Sequence, residues 1–257
     1  MPDSCEEKRA GAPSALLWWC LLAFPVAFGA FAYLASRHMG GRSLMAALVF
    51  LECAAAALVS AVAFVDFEPR KLGVWGFLFR VAAACAAVVA GGFAVLVLAA
   101  VLWGAEPLAG GLLAQVVVIS FCLLLGAVYA LVRRAGAEPF LSQLVSIFVG
   151  CVLMGTVFYA DPVVEAQSSP ERRSLAIRAV LAANPMTAIS WSLLRFDLMR
   201  RQIMYDRISV IGRFYRTEYP PWWKTAAGYV IASAVLLGAA SLLGRGRAGR
   251  NLKGKTE

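Results

Sequence analysis

Residues 108–132 read LAGGLLAQVVVISFCLLLGAVYALV. No charged side chain interrupts them, and a helix needs about 20 apolar residues to cross the hydrocarbon core of a bilayer. A membrane barrel strand would be about half as long and would alternate apolar with polar residues; this run does neither. In lipid, backbone groups must find their partners inside the segment, so such a run is read as a helix.

Working outward, five more runs have the same character, at about 14–35, 43–65, 76–103, 140–160 and 225–244. The composition agrees. The chain is 61% hydrophobic and 15% charged, against roughly 45–50% and about 25% in soluble domains. The expectation is an all-α polytopic membrane protein forming a single transmembrane domain over 1–257, with six transmembrane helices. The first run has a longer apolar core than the roughly 7–15 residues of a signal peptide. Asp3, Glu6 and Glu7 precede it. It is read as a retained helix, with Pro25 as a potential kink.

The net charge of +9 does not call for nucleic acid, because Lys and Arg flank the apolar runs. They set orientation instead. With the N-terminus inside, the inner segments hold Lys8, Arg9, Arg70, Lys71, Arg133, Arg134, Arg245, Arg247, Arg250, Lys253 and Lys255. The short outer loops hold only Arg37 and Arg42. Both termini are therefore expected in the cytoplasm, and the Ala- and Arg-rich composition suggests a bacterial inner (plasma) membrane. The connection 161–224 would lie outside with ten further Lys/Arg. That opposes the bias, although long segments weigh little in it.

Inside that connection, helix-like pieces at about 171–182 and 186–204 are separated by Asn184-Pro185, a helix stop and restart. Asp197 and interleaved arginines follow. Tyr205, Tyr219, Trp222 and Trp223 then lead toward the last run, as aromatics do at headgroup level.

Few residues carry chemistry. Glu52 lies midway along the second run, where an ionisable group costs a few kcal/mol unless paired or neutral. It reads either as a contact for substrate, ion or proton, or as a carboxyl held between helices. Arg80, near the start of the third run, either snorkels to the inner interface or pairs with Glu52. Gln115, Ser120, Ser142, Gln143 and Ser146 suit interhelical hydrogen bonds. Asp66, Glu68, Arg70 and Lys71 lie in an inner loop whose mixed charges suit docking.

The chain has six cysteines and one histidine, His38, with no C-x-x-C and no Cys/His cluster, so neither metal nor cofactor is expected. No G-x-S-x-G or H-E-x-x-H occurs, so no enzyme site is expected. Residues 249–256, GRNLKGKT, fit the phosphate-loop pattern. That loop must follow a strand and open a helix, whereas here an apolar run precedes it and one residue follows. The tail is read as a positive anchor at the inner leaflet.

At Asn184 the chain reads NPMTAISWSLLR. This resembles the Asn-Pro segment of ABC-2-type transporter permeases, and the layout of six runs with a long fifth-to-sixth connection is similar too. The resemblance implies interfacial or re-entrant helices containing Asn184 and Pro185, and a coupling loop at Asp66, Glu68, Arg70 and Lys71. It implies a separate ATP-binding subunit and a homo- or heterodimer in the lipid bilayer. The competing expectations are a non-transporting scaffold or assembly factor that binds partners through 161–224, and an intramembrane lipid enzyme using Glu52 or Asp197. The absence of a clustered site argues against the enzyme.

Overall fold

The computed structural model describes residues 15–63, 74–198 and 219–253. Among them all regular structure is helical: α1 (Ala15–Ser36), α2 (Gly41–Ala63), α3 (Val74–Trp103), α4 (Leu108–Arg134), α5 (Pro139–Tyr159), α6 (Asp161–Glu165), α7 (Pro170–Ala183), α8 (Pro185–Ser192) and α9 (Trp222–Lys253). Four stretches are long and apolar enough to cross a membrane: Gly41–Leu58, Leu108–Arg134, Pro139–Tyr159 and Trp222–Leu243. The difference from six lies in α1 and α3, whose described apolar stretches cover only Pro25–Ser36 and Val88–Trp103. α1 runs through Pro25 as one helix.

The stretch at 108–132 forms the centre of the bundle. α4 packs against α2, α3, α5, α8 and α9, and Gln115, Phe121, Leu125 and Tyr129 are buried along it. The outer helices behave differently. Phe148 on α5 and Val235 on α9 are about two-thirds exposed, and large apolar side chains turned outward suit lipid rather than water. Helices in lipid gain little from hydrophobic burial and depend on close approach. Gly150 supplies it: a Cβ there would stand 3.1 Å from Ala57 Cβ and 3.4 Å from the Leu125 side chain. Ser146 Oγ donates across to Leu125 O at 2.9 Å, the interhelical role its sequence suggested. Ser120 and Ser142 instead donate to carbonyls of their own turns, Val117 O and Glu138 O.

The turns after α1 and α3 meet, with Glu106 N donating to Gly41 O at 3.2 Å. Gly104, at φ +62, takes the left-handed conformation that glycine adopts without a Cβ penalty. The start of α4 also lies against Leu193, just beyond α8. One end of the bundle therefore carries Arg37, Arg42 and the α8 end of the long connection. Arg133 and Arg134, at the far end of α4, mark the other.

Two boundaries differ from expectation. The expected helix at 186–204 stops at Ser192. Leu193 N and Leu194 N both donate to Ile189 O, and Phe196 N donates to Ser190 O. Arg195 takes φ +51, which ends helical continuation. Leu193 and Leu194 are buried there, so the segment folds onto the bundle instead of extending. The last helix, expected to end near 244, continues to Lys253. Residues 249–253 of the phosphate-loop pattern are thus helical, whereas a phosphate loop needs open backbone before its helix.

Candidate functional site

Met45, Leu48, Glu52 and Ala56 are all buried and recur at helical spacing, so Glu52 sits on the core-facing stripe of α2. Its carboxyl faces α4, where Gln115 Nε2 donates to Glu52 Oε2 at 2.7 Å. It also faces α3 at Gly92. A Cβ on Gly92 would overlap Glu52 Oε1 and Cδ and stand 2.9 Å from Oε2. The missing side chain at 92 is therefore the slot that admits the carboxyl. Glu52 is fully buried and Gln115 is 5% exposed.

Among the described residues, neither Glu52 Oε1 nor Gln115 Oε1 meets a hydrogen-bond donor. Leaving a buried polar atom unsatisfied typically costs about 1–3 kcal/mol, so two such atoms in one site point to a further guest or state. The sequence offered Arg80 as one partner for Glu52. It precedes Gly92 by twelve residues in α3, roughly 18 Å along the axis at 1.5 Å per residue. Its side chain lies outside the described residues, as do Asp66, Glu68, Arg70 and Lys71.

The Gly92 slot makes a prediction. Gly92→Ala is expected to destabilise the protein by about 1–3 kcal/mol, as overpacking does. In a Glu52→Ala background, where the clashing carboxyl is gone, most of that cost should vanish. Thermal unfolding of the four chains of the double-mutant cycle in mild detergent checks it. Additive effects would mean that Gly92 and Glu52 do not share this contact.

The second constellation is the junction of α7 and α8. Ser169 caps α7, its side chain accepting from Arg172 N at 3.2 Å, with Pro170 at the first position. Asn184 caps α8 in the same way, Oδ1 accepting from Met186 N at 2.8 Å and Thr187 N at 3.2 Å. Asparagine followed by proline at the first turn is a favoured start. Asn184 Nδ2 reaches out of the junction, donating to Met154 O at 2.6 Å and Thr156 Oγ1 at 3.2 Å on α5.

From the other side α9 completes the junction. Thr225 Oγ1 donates to Ala182 O at 3.0 Å, and Tyr229 Oη donates to Ala183 O at 2.7 Å. The last carbonyls of α7, which no helix satisfies, are thus taken by hydroxyls of a neighbouring helix. Asn184, Thr187 and Ser190 are fully buried. The junction named in the sequence is therefore clamped between α5 and α9. Sequence reading missed Thr225 and Tyr229; their one visible signal is a pair of hydroxyls four residues apart at the start of an apolar run.

Asp197 has a described partner in Tyr219, accepting from its Oη at 2.5 Å, and the Tyr219 ring stacks on Trp191 at 6.0 Å. Among the described residues no three His, Cys, Asp or Glu side chains gather as a metal site. No protein-family model, curated protein or solved structure matches the chain.

Proposed function

We propose that this chain is the membrane subunit of a transporter of the ABC-2 permease type. In this reading α1–α5 and α9 are six spans, and α6–α8 form the external re-entrant element. Both termini face the cytoplasm of the inner membrane. A separate ATP-binding subunit docks on the loop holding Asp66, Glu68, Arg70 and Lys71, and the chain pairs as a homo- or heterodimer. It has no ATP site of its own, and the substrate passes along the subunit interface.

The observation that carries the reading is the Asn184-Pro185 junction, buried between α5 and α9. A connection that plugs its own helix pair into the bundle couples helix movement to the outer end, as a transport path requires. A second reading, a scaffold that binds partners through 161–224, draws on α7, where Arg172, Ser174 and Leu175 are exposed.

Side-specific labelling tests the permease arrangement. In a chain whose native cysteines are replaced, Ser174→Cys is expected to react with an impermeant maleimide from outside the cytoplasmic membrane. A cysteine at Lys255 should react only after permeabilisation. Reaction of Ser174→Cys only after permeabilisation would place the connection beside the ATPase and end this reading.

A further inference from the structure

The two unsatisfied oxygens at the centre of the bundle belong to chemically complementary groups. A carboxylic acid and a primary amide can join by two antiparallel hydrogen bonds. The amide N–H donates to one carboxyl oxygen, and the acid O–H donates to the amide oxygen. The first of these bonds exists, from Gln115 Nε2 to Glu52 Oε2. The atoms left over, Glu52 Oε1 and Gln115 Oε1, are the two that the second bond would use.

We propose that Glu52 and Gln115, seated in the Gly92 slot, form a binding site for a single proton. The proton adds to Glu52 Oε1, the carboxylate becomes a neutral acid, and its O–H donates to Gln115 Oε1. One proton thereby satisfies both orphaned oxygens. No other bond breaks and no second reactant is needed.

The surroundings favour a proton over a metal ion. Hard cations such as Ca²⁺ and Mg²⁺ take about six or more oxygen ligands, and this site offers the oxygens of one carboxyl and one amide. Cys53 lies beside Glu52 on α2, and the neighbouring helices bring Cys122 and Tyr129 on α4 and Tyr229 on α9. α3 has no ionisable residue from Val88 to Trp103, and α8 has none. On α1 and α5, Tyr33, Cys151 and Tyr159 are exposed. None of these groups brings a carboxylate, lysine or arginine to compete with the proton.

Because the site joins α2, α3 and α4, gain or loss of the proton changes how three helices hold together. This inference stands independently of the transport reading.

Infrared difference spectroscopy of the full chain reconstituted in neutral lipid bilayers tests it, with pH stepped up and down. The expected result is a protonated-carboxyl carbonyl band that vanishes at high pH and returns on acidification. It should shift in heavy water, be lost in Glu52→Gln, and be unchanged when sodium chloride replaces choline chloride. Gln115→Leu keeps the carboxyl and should move the band to higher frequency, because the acid has lost its amide; this variant serves if Glu52→Gln does not fold. Three outcomes overturn the proposal: the same titrating band in Glu52→Gln, no titrating carboxyl in the wild type, or a band removed by sodium at constant pH. The last would assign the site to an alkali-metal ion.

Discussion

Asn184→Ala is expected to lower stability by roughly 2–4 kcal/mol, the sum of a lost helix cap and newly unsatisfied buried groups. Four hydrogen bonds leave with the side chain: those from Met186 N and Thr187 N, and those to Met154 O and Thr156 Oγ1. The site is fully buried, so water does not replace them. The fall should appear as a lower thermal midpoint in mild detergent. Asn184→Asp separates the two halves of the effect. It keeps the acceptor for the α8 cap but removes the donor, setting an oxygen against Met154 O, now 2.6 Å from Nδ2. It is expected to recover no more than the cap's share, about 1 kcal/mol. Full recovery in Asn184→Asp would mean that the link to α5 contributes nothing.

Gly110→Ala should be nearly as damaging, for a steric reason. A Cβ at 110 would stand 2.8 Å from the carbonyl carbon of Leu193 and closer still to its oxygen. The obstacle is backbone, which cannot rotate aside as a side chain can. Leu193 immediately follows α8, so α8 and α4 must separate. The expected cost is about 1–3 kcal/mol, and more for Gly110→Val. Faster tryptic cleavage at Arg172, Arg173 or Arg178 on α7 should accompany it, because the connection loosens from the bundle. Gly228→Ala, where a Cβ meets nothing within 4 Å, is the control and should hold or raise stability. Equal behaviour of the two variants would show that α8 does not rest on α4 in this way.

The Asn184-Pro185 junction and the Glu52 site show what could be read from the sequence and what could not. The helical class followed from runs such as 108–132, because length and apolar character alone decide whether a segment suits lipid. Asn184-Pro185 was legible as a helix restart, since capping is local chemistry. Its clamps were not: Met154 and Tyr229 lie 30 and about 45 residues away in the chain, and local pattern says nothing of such meetings. Glu52 stood out as a carboxyl within an apolar run. Gln115 was legible as a side chain suited to an interhelical hydrogen bond, but its pairing with Glu52, 63 residues distant, was not. Only the folded helices show that the Glu52 carboxyl fills the space left by the missing side chain at Gly92. Where 186–204 read as one helix, burial of Leu193 and Leu194 against the bundle outweighed local propensity and ended α8 early.

The proposal that a separate ATPase drives this chain is tested most directly by recovering it from its native membrane in mild detergent and identifying its companions by mass spectrometry. The account predicts a stoichiometric partner carrying a phosphate loop between a strand and a helix. That partner should be lost when Asp66, Glu68, Arg70 and Lys71 are all replaced by alanine. Recovery of the chain with no ATPase, under conditions in which a control transporter keeps its own, would contradict the account and shift the weight to a scaffold acting through 161–224.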